Sequence, residues 1–228
     1  MTRKIVFLLL FLLGSKHFYA QNNVYLGVKG GGKTTIVTSD KFGDKTYSRL
    51  GFVSGISAEY LINYRIGFNV GVLYKQVGFG TNINLDPNIV LLNNQTVISQ
   101  LHYDYISIPL KFRFCPIPKS RGYGWLIDLG VSYSSLVQNQ QITEVFDEGY
   151  NSVQISHISD HLIPNKNYLS GLIEVSTYLP LNDDSNWNLT LSGTYEYCFK
   201  NLSNDNFLPN RIIKFNEVTF CAGIAYKL

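Results

Sequence analysis

The feature that most constrains this chain is a series of eight short segments in which apolar and polar residues alternate, joined by connections that are long and short in turn. Alternation with a period of two is the pattern of a strand with unlike faces, because successive side chains point to opposite sides of a sheet. The segments run from Val24 to Gly32, Gly51 to Leu61, Arg65 to Val77, Tyr103 to Phe114, Gly124 to Leu136, Tyr168 to Leu179, Trp187 to Phe199 and Phe215 to Leu228. The connections between them hold 18, 3, 25, 9, 31, 7 and 15 residues. A soluble sandwich has no reason to gather every long connection on one side, whereas a barrel in an outer membrane has short turns at one rim and long loops at the other. The expectation is an all-β fold, an eight-stranded antiparallel up-and-down transmembrane β-barrel.

The fourth segment shows the logic most clearly. Ile106, Ile108, Leu110, Phe112 and Phe114 share one phase, and Ser107, Lys111 and Arg113 share the other, so one face suits hydrocarbon and the other a polar interior. The seventh segment repeats this with Trp187, Leu189, Leu191, Tyr195 and Tyr197 against Asn188, Thr190, Ser192, Thr194 and Glu196. Carried through all eight segments, the phase places Lys29, Lys75, Lys111, Arg113 and Lys227 inside with Glu59, Asp128, Glu174, Glu196 and Glu217. Five bases meet five acids. An eight-stranded barrel is only wide enough for side chains to fill it, so these ten charges are expected to form a closed salt-bridge network, as buried charge requires pairing. A conducting pore is disfavoured for the same reason. Trp125 and Trp187 begin strands at the short-turn rim, while Tyr74, Tyr133 and Tyr197 lie near the opposite ends, which reads as two aromatic girdles at headgroup level.

The N-terminus sets the compartment. Arg3 and Lys4 precede an apolar run from Ile5 to Leu13 and then small and polar residues up to Ala20. This reads as a secretory signal peptide over residues 1–20, too short to span a bilayer as a helix, with the barrel domain over 21–228. Phe18 departs from the small residue usual two positions before such a cleavage site. Losing Arg3, Lys4 and Lys16 from the 19 bases leaves 16, equal to the 16 acids. A neutral chain with no basic cluster argues against nucleic acid as a partner.

Three cysteines leave at least one unpaired. Closing the last hairpin with residue 199 opposite 215 makes paired positions sum to 414, placing Cys198 opposite Asn216 and Cys221 opposite Gly193. At the rise of a strand the two thiols are then about 17 Å apart, too far for a disulfide, and Cys115 lies in a turn at the other rim. Three free thiols are expected.

Three motifs invite a chemical reading. Gly27 to Thr34, GVKGGGKT, matches a phosphate-binding loop letter for letter, but such a loop must open a helix whose N-terminus holds the phosphates. The following TTIVTSDKFGDKTYS has no helical period, so glycines ending a first strand explain the letters, and no nucleotide or other cofactor is expected. His157, Asp160 and His161 could offer two imidazoles and a carboxylate to a metal if they formed a helical turn. One short HxxxH in a polar loop is weak, and no metal is expected. Ser99, His102 and Asp104 cluster at the outer end of the fourth strand, at the level where a His could act as base towards a lipid ester. Spacing places no third group to complete such a site, so ordinary rim polarity is the simpler reading.

DYISIPLKFRF, a turn, then GWLIDLGVSYSSLV, together with the opening VYLGVKGG, FVSGISAEY and the ending FCAGIAYKL, resembles the PorT-like outer-membrane β-barrel family of Bacteroidota across essentially the whole mature chain. The resemblance implies the small-barrel architecture of OmpA and OmpX, and a place in the cell envelope associated with type IX secretion. It brings no catalytic motif. The expected function is a non-enzymatic structural or assembly role in the outer membrane, with termini and short turns periplasmic and long loops extracellular. Its partners would be outer-membrane lipid and envelope or secretion-machinery proteins. A lipid-modifying enzyme using His102, and a receptor reading ligands through its loops, are the alternatives.

Overall fold

The computed structural model describes residues 24–39, 46–63, 65–84, 96–116, 124–146, 152–157, 166–181, 186–199 and 213–228. Residues 1–20 lie outside them. The strands are β1 (Val24–Ser39), β2 (Thr46–Leu61), β3 (Ile66–Asn84), β4 (Thr96–Phe114), β5 (Gly124–Phe146), β6 (Ser152–His157), β7 (Asn167–Pro180), β8 (Trp187–Cys198) and β9 (Ile213–Lys227). Every neighbour is antiparallel, in the order β4-β3-β2-β1-β9-β8-β7-β5, and β5 pairs back onto β4. Eight strands therefore close into a barrel, and β6 adds a hairpin to the far half of β5.

At the short-turn rim the strands end where the sequence says they should. The β2–β3 turn is held by the Asn63 carboxamide, whose oxygen accepts from the backbone N–H groups of Arg65 at 2.8 Å and Ile66 at 2.9 Å, the local bonding that makes Asn a turn residue. Cys115 follows β4, its N–H donating to the Arg65 carbonyl at 2.7 Å. At the long-loop rim the strands run further than the alternation predicts. β1 continues to Ser39, β4 begins at Thr96 and β5 reaches Phe146. A span needs only about 9–11 residues, so β3 and β4 at 19 residues and β5 at 23 project well beyond it, while β7 at 14 and β8 at 12 exceed it by a few residues at most. The ladders slip between Ser48 and Val53 on β2 and between Asp104 and Tyr105 on β4. These irregularities fall where the apolar outer wall of the two strands gives way to polar residues, and such slips re-aim a strand.

The last hairpin corrects the sequence-derived register by one residue. Tyr197 faces Asn216 and Ser192 faces Cys221, so the paired positions sum to 413. Alternation within each strand requires this: the inward residues are even in β8 and odd in β9, and only an odd sum puts inward opposite inward. No disulfide joins the three cysteines, and all three are buried.

The outer wall is aliphatic and aromatic. Val28 is 57% exposed, Ile56 60%, Leu110 55%, Leu129 55% and Phe220 70%. Trp125, Trp187, Tyr133 and Tyr197 are also exposed, with Trp187 packed against Tyr226 at a ring separation of 4.8 Å. The buried positions include Lys33, Lys75, Lys111, Arg113, Glu59, Asp128, Glu174, Glu196 and Glu217. Apolar outside and charged inside inverts the order of a water-soluble protein.

Candidate functional site

The barrel interior is where the chain concentrates its chemistry. Inward phase alone delivers these side chains: Lys29 and Lys33 from β1, Glu59 from β2, Lys75 from β3, Lys111 and Arg113 from β4, Asp128 from β5, Glu174 from β7, Glu196 from β8 and Glu217 from β9. They stack as a ladder along the barrel axis.

Nearest the long-loop end, the Lys33 ammonium donates to Glu217 at 2.6 Å, and Lys75 lies between Glu196 and the same Glu217, 3.6 Å from the latter. The Tyr168 hydroxyl donates to the second Glu217 oxygen at 3.1 Å, and Ser170 donates to Glu196. In the middle, Glu174 accepts from Lys29 at 3.2 Å, from Lys111 at 3.0 Å and from Thr194 at 2.9 Å. Towards the short turns, Arg113 meets Asp128 with two parallel N–H···O bonds of 2.7 Å, the geometry that suits a guanidinium to a carboxylate. Its remaining Nη1 donates to Glu59 and, at 3.0 Å, to the Tyr178 hydroxyl, while Asn69 donates to Glu59 at 2.8 Å. Lys111 bridges to this group, 3.4 Å from Asp128.

Nine of the ten side chains in these pairs are under a tenth exposed, and Lys29 is 13% exposed. A cavity of about 30 Å³ separates the upper and middle groups, lined among others by Lys29, Lys75, Lys111, Glu174 and Glu196. That is room for roughly one or two waters beside polar partners. Aromatic side chains close both ends of the ladder. Val77, Tyr103, Tyr105, Tyr168, Cys198 and Phe215 pack together above it, with Tyr105 edge-on to Tyr168 at 5.0 Å. Cys115, Leu126, Tyr178 and Ala225 pack below it, and Tyr25 stacks on Tyr178 at 5.7 Å.

The structure brings together nine of the ten charges named from the sequence, each in an ion pair within 4 Å. Lys227 is half-buried at the end of β9 and makes no such pair among the described residues. Lys33 completes the set in its place. In the sequence Lys33 falls in the glycine-rich motif, past the expected strand end at Gly32, yet its four-residue spacing from Lys29 puts it on the same inward phase. The motif itself is continuous β1 strand, with Gly31 where a Cβ would fall 1.9 Å from the Phe220 carbonyl oxygen, so glycine lets β1 and β9 close up.

The rim residues separate differently. His102 and Asp104 take the outward phase and are half-buried. Gln76 donates to Asp104 at 3.5 Å and the Tyr74 hydroxyl also bonds it. His102 lies opposite Gly78 and Gln140, and Ser99 opposite Thr81 and Thr143, the Ser99 side chain being outside the described residues. His157 ends strand β6 rather than opening a helical turn, while Asp160 and His161 lie outside the described residues. No group of three or more His, Cys, Asp or Glu able to hold a metal occurs among the described residues.

A closed antiparallel barrel with an apolar outer wall, aromatic rims and a charge-paired interior is a membrane-spanning β-barrel. Residues 19–204 match the outer membrane protein beta-barrel domain family, and the chain belongs to it. That family places the protein in the outer membrane, against its lipid. No curated protein sequence matches the chain. Similar solved structures include Neisserial surface protein A, 16% identical with a TM-score of 0.45 over 90% of this chain and 97% of that one. OprG from Pseudomonas aeruginosa is 13% identical with a TM-score of 0.47 over 90% and 95%. Ail, the attachment invasion locus protein of Yersinia pestis, is 14% identical with a TM-score of 0.43 over 90% and 99%.

Proposed function

We propose that this protein is a non-conducting, non-enzymatic barrel that anchors an extracellular β-structure for an envelope assembly. The observation that carries the reading is the interior: a ladder of paired charges, closed by aromatic clusters at both ends, fills the space a solute would need. The extensions of β3, β4 and β5, with β6 added, give the long-loop end a surface rooted in the barrel wall. Residues 1–20 act as the secretory leader, the short turns and termini face the periplasm, and the long loops face outward. Resemblance to the PorT-like proteins of Bacteroidota supports a partner in type IX secretion, with lipid as the surroundings and neither nucleotide nor nucleic acid as a ligand. A strain lacking the protein should lose secretion or surface display while its lipid A stays unchanged.

A second reading rests on His102 and Asp104, which share the outward phase at the edge of the apolar wall, where a lipid ester would lie. It requires His102 as base. Lipid A masses from wild-type, deletion and His102→Ala strains separate the two: a mass change shared by the last two, at normal protein levels, would favour the enzyme.

A further inference from the structure

The lipid-facing wall is not uniform. At one level of the sheet the inward residues of five successive strands are all small: Ala225, Gly27, Ser57, Gly71 and Pro109. Ala225 faces Gly27, Gly27 faces Ser57 and Ser57 faces Gly71. Pro109 stands beside Gly71, 3.6 Å from where a Cβ there would lie, and that Cβ would come within 2.9 Å of the Ile56 carbonyl oxygen. Little side chain stands behind the wall here to hold it off the axis. On the outside the same stretch is a depression of about 700 Å³, walled by Leu26, Val28, Ile56, Val70, Val72 and Ile108 around Ala58. Trp187 and Tyr226 border it and lie near the short-turn rim, the headgroup level that such rings prefer.

We infer that this depression is a binding site for one acyl chain of a phospholipid in the leaflet next to the short turns, its headgroup beside Trp187 and Tyr226. The depression is continuous with the surface that an outer-membrane barrel already presents to lipid. Its lining is aliphatic, so dispersion and shape are what it offers, and a flexible chain can follow a concave wall closely. A second copy of the barrel fits it poorly. A two-fold contact places depression against depression, which leaves a void between them, and a contact with any other part of the wall sets a convex cylinder in the hollow.

The test uses the full barrel reconstituted in vesicles of phosphatidylethanolamine and phosphatidylglycerol, released into mild detergent and weighed by native mass spectrometry. Wild-type protein should retain one phospholipid. Ala58→Phe, which fills the hollow from outside, should lose it, and Val131→Phe, on the outward face of β5 away from the hollow, should keep it. Each variant is first checked for its heat-sensitive gel shift, and Ala58→Leu replaces Ala58→Phe if that one does not fold. Retention by none of the proteins, or equally by all, overturns the site. Barrel pairs that vanish with the position-58 variants overturn the lipid in favour of a second copy.

Discussion

Replacing Arg113 by methionine tests the interior most severely. The guanidinium, 2% exposed, is the sole cation among the described residues in an ion pair with Glu59, and it is the bidentate partner of Asp128. Methionine keeps much of the apolar stem and removes every donor. Asp128 then retains Lys111 at 3.4 Å, but among the described residues Glu59 keeps only the neutral Tyr178 and Asn69. Removing one partner of a buried pair costs about 3–5 kcal/mol because the other charge stays buried, which is roughly a hundredfold to a few thousandfold in the folding equilibrium. Neutralising the orphan should reverse most of this, so Arg113→Met with Glu59→Gln should lie closer to wild type than Arg113→Met alone. Urea unfolding in lipid vesicles, followed by tryptophan fluorescence and the heat-shifted gel band, measures both. A loss below about 1 kcal/mol, the worth of a solvent-exposed pair, at an unchanged denaturant slope would refute the argument that this charge is dry and paired.

Leu110→Arg puts a cation on the lipid face near mid-membrane and should cost about 2–4 kcal/mol, whereas Lys111→Leu, its neighbour on the inward phase, should act through Glu174 and Asp128 alone. Refolding titrations of the two distinguish the faces. Purified barrel in planar bilayers should show no steady single-channel conductance, and ion currents in the wild type would contradict a filled lumen. The buried thiols Cys115, Cys198 and Cys221 should react with maleimide only after denaturation, all three together. Protease added to intact cells should cut between residues 158 and 165 and spare residues 117–123, and the reverse pattern would invert the proposed orientation.

The parts of the fold legible in the sequence are those immersed in lipid. In β4 an unbroken apolar phase from Ile106 to Phe114 opposes Ser107, Lys111 and Arg113, because hydrocarbon on one side forces the alternation. Beyond the membrane that force is gone. The outer end of β5, QNQQITEVF, mixes polar and apolar residues in both phases, so the sequence shows no period there to mark a strand. The same cut hides Lys33, the residue that directly follows a run of three glycines. The register of the last hairpin follows from the faces of its two strands: a closing pair taken from the turn makes an even sum, which the phases of β8 and β9 do not allow. The rim positions around His102 gave residue types without neighbours, since which strand segments stand beside one another beyond the bilayer depends on pairing that no single strand encodes.

The partners in the ladder are far apart along the chain, 184 residues between Lys33 and Glu217, 145 between Lys29 and Glu174 and 121 between Lys75 and Glu196. The first of these pairs spans the seam between β1 and β9, where the sheet closes. A sheet that has not yet met its own first strand therefore leaves Glu217 and Glu196 to share Lys75, one acid in excess, and a seam offset by two residues moves Lys33 away from Glu217. Ordinary hydrocarbon would expel either species, because an unmatched charge is far worse there than in water. Insertion into the membrane is thus coupled to completion of the cylinder: the nascent sheet must stay shielded from lipid until its final strand arrives, and only the correctly joined ring can be released into the bilayer.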